Sequence, residues 1–274
     1  MSKVFVVNVS ICNGCHNCQI ACKDEHVGND WSPYAKPQPD TGQFWLKLNE
    51  HIRGTIPKVK IAYVPTLCMH CDDAPCKKSC PIPDAIYKRD DGLVIIDPIK
   101  CTGCRNCVDT CPYGVIYFND DLNIAQKCTG CAHLLDNGFK IPRCIDVCPT
   151  DAIMFGEEKD LRNEISKAEI LHQEYGTKPR VYYIGLPKRF VAGAVYDPEE
   201  DECIEDATVT LTDLQTAEKF ITKTDRFGDF WFEDMKTAKY SLEINCDGYQ
   251  TWSNEMISTE NDVNIGDIEL LTKR

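Results

Sequence analysis

Cys101-Thr102-Gly103-Cys104-Arg105-Asn106-Cys107-Val108-Asp109-Thr110-Cys111-Pro112 is the stretch on which the reading of this chain turns. Its cysteines are spaced C-x2-C-x2-C-x3-C, and proline follows the last of them. Three further quartets share its first and last steps: Cys12, Cys15, Cys18, Cys22; Cys68, Cys71, Cys76, Cys80; and Cys128, Cys131, Cys144, Cys148. The second and fourth lengthen the middle spacer. Proline also follows Cys80 and Cys148, but not Cys22. Sixteen of the eighteen cysteines are used in this way.

A C-x2-C-x2-C-x3-C-P run is the bacterial ferredoxin pattern, in which the fourth cysteine serves the other cluster of a pair. At four thiolates per cubane, the cysteine count predicts four [4Fe-4S] clusters, or three if one site is unloaded, and one-electron transfer as the chemistry. A disulfide framework would not require matched first and last steps, nor the proline. Zinc ribbons use C-x2-C pairs but have no need of a third cysteine two residues further on.

Cysteine is dense up to Cys148 and almost absent beyond it, so the 274 residues split by composition. The first part can be cross-linked by metal, whereas the second must fold by burying apolar area. A formal net charge of −13, before any cluster is counted, makes nucleic acid an unsuitable partner. The N-terminus, Met1-Ser2-Lys3-Val4-Phe5-Val6-Val7-Asn8, carries no export signal, and no apolar run is long enough to enter a membrane. The expectation is a cytoplasmic chain with no direct membrane insertion.

The predicted architecture is α+β: an iron–sulfur domain over residues 1–187 with an insertion at 23–67, then an antiparallel β-barrel or sandwich over 188–274. Val4 to Ser10 reads as a strand, and Phe44 to Leu48 with Lys58 to Val64 reads as a hairpin. Leu161, Ile165, Ala168, Leu171 and Tyr175 recur at helical steps, which predicts a helix over Glu157–Tyr175 closed by Gly176. From Phe190 onward about seven alternating strands are expected, with turns at Asp225-Arg226-Phe227-Gly228 and Asp247-Gly248.

The motifs Cys12-Asn13-Gly14-Cys15-His16-Asn17-Cys18, Cys68-Met69-His70-Cys71, Cys101-Thr102-Gly103-Cys104 and Lys127-Cys128-Thr129-Gly130-Cys131…Pro142-Arg143-Cys144 carry a family resemblance. The first 187 residues resemble the iron–sulfur subunits of molybdopterin oxidoreductases of the dimethyl-sulfoxide-reductase family. The resemblance implies two ferredoxin-like cluster-pair modules. Within them, Cys12, Cys15, Cys18 and Cys148 would hold one cubane, and Cys128, Cys131, Cys144 and Cys22 its mate. Cys68, Cys71, Cys76 and Cys111 would hold a third, and Cys101, Cys104, Cys107 and Cys80 the fourth. It implies as partner a large catalytic subunit, in a heterodimer, carrying molybdenum and molybdopterin guanine dinucleotide. The tail, with Thr224-Asp225-Arg226-Phe227-Gly228-Asp229-Phe230 and Gly248-Tyr249, is similar to the transthyretin-like, carboxypeptidase-regulatory-like β-domain. Together the two parts look most like soluble members that move a hydroxyl between phenols.

No nucleophile–base constellation or phosphate loop is present, so no catalytic residue is assigned to this chain. Three functions remain open: an electron-transfer subunit, a scaffold whose clusters are not used in each turnover, and a subunit of another soluble or membrane-linked reductase. Cys203 and Cys246 could pair, although two buried free thiols suit a reducing compartment. His16 and His70 could donate to cluster sulfur or simply pack. Asp72, Asp73, Asp90, Asp91 and the run Glu199–Glu202 read as solvated turns.

Overall fold

The computed structural model describes residues 2–273. Along the first part of the chain run β1 (Lys3–Asn8), α1 (Asn17–His26), β2 (Leu46–Thr55), β3 (Lys58–Leu67), α2 (Pro75–Ser79), β4 (Ile86–Lys88), β5 (Val94–Ile96) and α3 (Asn106–Thr110). There follow β6 (Tyr117–Asn119), β7 (Ile124–Gln126), α4 (Ala132–Asp136), α5 (Arg143–Asp146), β8 (Ile153–Glu157), α6 (Arg162–Ile165) and β9 (Val181–Ile184).

β1 is the central strand of a three-stranded sheet, antiparallel to β8 and parallel to β9. Val4, Phe5, Val6 and Val7 are all buried, as a strand covered on both faces requires. The remaining strands of this region form two-stranded hairpins, β2–β3, β4–β5 and β6–β7. Strands of three residues bury little by themselves. They frame the cysteine loops instead, and α1 packs on α5 while α2 packs on α3. The core of this unit therefore mixes apolar side chains with thiols: Phe5, Trp45, Leu67, Leu93 and Val181 share it with Cys18, Cys22, Cys68, Cys76, Cys128 and Cys144.

The predicted helix over Glu157–Tyr175 does not form. Only α6 and a 3-10 turn at Gln173–Tyr175 are helical there. None of Leu161, Ile165, Ala168, Leu171 and Tyr175 is fully buried, and of these Leu171 packs against the core of this unit only at its edge, so the apolar stripe is not covered along its length. The backbone finds its partners elsewhere: Glu169 and Tyr183 exchange two N–H···O bonds of 2.8 Å, extending the edge of β9.

The chain divides into two compact units. One contains the residues up to His51 with Ala62–Leu186, and the other contains Ile52–Ile61 with the chain from Pro187. The sequence places the whole 23–67 insertion with the iron–sulfur region, whereas the hairpin tip Ile52–Ile61 clusters with the second unit. The physical reason is polar: Lys58 pairs with Asp229, Lys60 with Glu233, and Arg53 Nη1 lies 3.1 Å from the buried Asp262 carboxylate.

In the second unit, β10 (Arg189–Asp197), β11 (Glu202–Cys203), β12 (Thr208–Asp213), β13 (Lys219–Lys223), β14 (Asp229–Met235), β15 (Lys239–Asn245), β16 (Trp252–Ser258) and β17 (Val263–Glu269) form two sheets. β10 pairs antiparallel with β14 and β11, and parallel with β17. The other sheet is antiparallel in the order β13-β12-β15-β16. Alternation along β12 sends Val209, Leu211 and Asp213 inward, and the first two meet Phe230, Leu242, Ile244 and Ile268 in one apolar core. This is a two-sheet β-domain and not a closed barrel. It has one strand more than the seven expected, the short β11, and one parallel pairing in place of an all-antiparallel arrangement.

Candidate metal centres

Each quartet begins with a loop whose third residue has a positive φ: Gly14 at 73°, His70 at 44°, Gly103 at 75° and Gly130 at 62°. Such a turn folds the chain back over the first thiol and aims backbone N–H groups at it. His70 N–H lies 3.5 Å from Cys68 Sγ, and Gly130 N–H lies 3.4 Å from Cys128 Sγ. At Gly103 a β-carbon would stand 2.5 Å from the Asn123 carbonyl oxygen, so glycine is also a steric requirement there. The third cysteines lie on helices: Cys18 on α1, Cys76 on α2, Cys107 on α3 and Cys144 on α5. Cys22 sits one turn along α1 from Cys18, whereas Cys80 and Cys111 close α2 and α3.

The thiols meet across the chain. Cys12 and Cys18 face Cys15 and Cys148. Cys22 and Cys144 face Cys128 and Cys131. Cys76 faces Cys68, Cys71 and Cys111, and these four line a single cavity with Met69, Val94 and Ile116. Cys107 faces Cys101, Cys104 and Cys80. Neighbouring groups are also coupled: Cys18 raises the pKa of Cys144 through charge, and Cys68 donates its N–H to Cys128 Sγ.

Burial is the main electrostatic effect at these thiols, and repulsion from neighbouring thiolates adds to it. Together they push Cys18, Cys76 and Cys107 up to about 12. Cys22 and Cys144 are held well above the usual thiol range for the same reasons. Four mutually repelling thiolates in an apolar hollow need a cationic centre among them. Among the described residues no three His, Cys, Asp or Glu side chains close on a point that would hold a single ion. The donor set therefore fits a polynuclear thiolate-bound cluster, whose volume separates its ligands, better than it fits zinc.

Polar groups around the thiols were not assigned a role from the motifs. Lys127 is fully buried, and its ammonium donates to the Val94 and Cys128 carbonyls and to Cys68 Sγ. Burial alone would lower its pKa; Cys68, Cys76 and Cys128 outweigh that and hold it raised. Its sequence signal is a lysine ending the fully buried run Ile124-Ala125-Gln126. Thr177 hydrogen-bonds Cys71 Sγ, and its hydroxyl lies 2.6 Å from the Tyr113 hydroxyl; nothing in the sequence marks it. His133 Nε2 lies 3.0 Å from Glu25 Oε1 beside Cys131.

His16 is an exposed residue opening α1. His70 is buried and accepts a 3.0 Å bond from Val94 N–H at Nδ1, so its backbone, and not its ring, reaches sulfur. Asp72 pairs with Lys88 and Arg180, Asp73 with Lys78, and Asp91 with Arg89. Cys203 and Cys246 are both free, but Cys203 is exposed, contrary to the expectation of two buried thiols. Lying in the two-residue edge strand β11, it has no second layer above it.

Thiols gathered in fours by short helices and hairpins define an iron–sulfur protein. The 4Fe-4S dicluster domain matches residues 59–158, and the carboxypeptidase regulatory-like domain matches residues 191–271. The chain is 38% identical to the pyrogallol hydroxytransferase small subunit of Pelobacter acidigallici, over 97% of this chain and 98% of that one. It is 34% identical to a tetrathionate reductase subunit of Salmonella typhimurium, over 68% of this chain and 74% of that one. It is also 34% identical to the arsenate respiratory reductase iron–sulfur subunit of a Shewanella species, over 66% of this chain and 94% of that one. The chain belongs to the family of iron–sulfur subunits of molybdopterin enzymes that includes the pyrogallol hydroxytransferase small subunit.

Proposed function

We propose that this chain is the non-catalytic iron–sulfur subunit of a heterodimeric pyrogallol hydroxytransferase. Its large subunit would carry molybdenum with molybdopterin guanine dinucleotide and convert pyrogallol to phloroglucinol. The observation that carries this reading is the match along almost the whole chain, β-domain included, to a small subunit of that name. No helix among the described residues is long and apolar enough to cross a membrane, which favours this reading over an anchored reductase. A reducing, cytoplasmic setting suits sixteen free ligand thiols.

The ligand sets that best suit the facing thiols are Cys12, Cys15, Cys18, Cys148; Cys22, Cys128, Cys131, Cys144; Cys68, Cys71, Cys76, Cys111; and Cys80, Cys101, Cys104, Cys107. Bound [4Fe-4S] clusters supply one-electron transfer. The protein supplies the rest. A row of the four sets is supported by the Coulombic influence of Cys18 on Cys144, by the bond from Cys68 N–H to Cys128 Sγ, and by the packing of α2, which carries Cys76, on α3, which carries Cys107. Cys15 and Cys104 are the exposed thiols of the two outer sets. Apolar walls such as Met69, Val94 and Ile116 limit water around the set of Cys68, Cys71, Cys76 and Cys111.

The test is purification of the intact complex with metal analysis. The expected result is a stable heterodimer with about 16 irons from this chain and molybdenum in the partner. A monomer that reduces soluble carriers unaided would overturn the subunit assignment. Molybdenum with a reductase activity and no hydroxyl transfer would overturn the substrate.

A further inference from the structure

Lys127 is the one lysine among the largest fully buried side chains. It follows β7 and precedes Cys128, so its backbone is fixed by the cysteine loop. Its side chain turns across to the second pair of helices. There its ammonium donates to the Val94 carbonyl on β5, to the Cys128 carbonyl at 3.1 Å and to Cys68 Sγ. The groups facing it are the thiols of Cys68, Cys76 and Cys128, the Val94 and Cys128 carbonyls and the His70 imidazole, and no Asp or Glu pairs with it among the described residues. His70, which also lies within its field, is buried and held neutral by burial first and by Lys127 and Lys88 after it.

A buried cation without a carboxylate is strongly unfavourable unless fixed negative charge lies close by. Carbonyl dipoles supply only part of that compensation. The remainder must come from Cys128, in one proposed ligand set, and from Cys68 and Cys76, in the next. Lys127 is thus wedged between two sets, at the place where Cys68 N–H also donates to Cys128 Sγ. At Cys12, Cys18 and Cys107, in the outer sets, the leading charges are other thiols. At Cys131 the Arg143 guanidinium is preceded in strength by the opposing Glu25 carboxylate.

The geometry points to Lys127 as a positioning residue for electron transfer: a buried cation that raises the reduction potentials of the two inner clusters together and electrostatically bridges the two cluster pairs. The inference rests on the four-cluster reading above. A fixed positive charge favours the more negative, reduced state on either side of it, and low-dielectric surroundings leave that effect unscreened. No bond is made or broken at Lys127.

The experiment is a reductive titration of the intact complex, followed by electron paramagnetic resonance, for the unaltered protein and for Lys127→Gln, Lys127→Met and Lys127→Arg, with iron counted in each. In the Gln and Met variants two of the four centres should titrate lower. At the unaltered midpoint, their reduced-to-oxidised ratio should fall at least tenfold, about 59 mV for a one-electron couple. The Arg variant should stay within about threefold of the unaltered ratio, since it keeps the charge. Iron lost from both neutral variants but kept by Arg would also support charge compensation. Full iron with unmoved potentials in Gln and Met would overturn the proposal. So would equal shifts or equal iron loss in Gln and Arg, or a uniform shift of all four centres. An iron count well below about 16 in the unaltered protein would instead overturn the four-cluster reading, a result independent of the potentials.

Discussion

The two units of this protein are held together by different means. In the first, the three-residue strands β4 to β7, the helices α2 to α6 of four or five residues and the longer α1 surround hollows lined by cysteine, and thiols make up a large share of the core. In the second, strands of five to nine residues, apart from the two-residue β11, alternate inward and outward around Val209, Leu211, Phe230, Leu242 and Ile244, and neither cysteine belongs to the buried core. Elements as short as those of the first unit are marginal without tertiary support. The difference shows how a chain can trade apolar burial for metal cross-links in one part while relying on burial in the other.

Stripping iron is the most severe way to break that contrast. Chelation under mild oxidation should abolish hydrogen-exchange protection in β4, β5, α2 and α3, while amides of β12 and β15 remain protected. Equal loss in both units would show that the β-domain depends on the clusters for its stability.

A reciprocal test targets the second unit. Leu211→Ala empties a fully buried position between the sheets and should destabilise the β-domain by about 2–5 kcal/mol, with the iron count unchanged. Hydrogen exchange in β12 reads the first quantity and colorimetric iron the second. Iron loss comparable to the stability loss would erase the distinction.

pH separates the units more gently. His26 is buried against Trp45 and His133, and burial first, then the neighbouring imidazole, lower its pKa to about 3. Its unfolded value is near 6.5, so the folded state binds fewer protons than the unfolded state between these two values. Its contribution is therefore fully present above about 6.5 and is lost as pH falls toward about 3. The first unit should lose at most about 2 kcal/mol between pH 7 and pH 5 from this group. Denaturant midpoints of His26→Phe should be flatter over that window; an unchanged slope would exclude His26 as the source.

The smallest effect belongs to the hairpin tip. Lys60→Ala removes an ion pair to the exposed Glu233 and a cation–π contact of 4.9 Å to Trp231. The expected cost is about 0–1 kcal/mol, read as a shift in the β-domain's thermal midpoint.

Much of the site was legible because its chemistry is local. Matched first and last steps marked all sixteen candidate ligand thiols, and β-strand alternation marked the tail from Phe190 onward. The helix expected over Glu157–Tyr175 shows the limit of such reasoning. A correct apolar period makes a helix only when something covers the stripe, and here the backbone bonded to Tyr183 instead. The hairpin tip shows it again, since nothing between Ile52 and Ile61 reveals that its lysines and arginine pair with carboxylates far along the chain.

The chain's amino-acid order was sufficient to establish the ligand chemistry, the number of thiols and the division into a cysteine-rich part and a β-part, because these depend on residue type and short spacing. Which thiols face one another, and which charge is trapped between them, depended on folding. Cys148 meets Cys12 and Cys18, and Lys127 meets Cys68, only because β1, β8 and the paired helices bring distant segments side by side. Spacing records what a segment can bind, whereas contacts across the core settle what electrostatic environment that segment provides.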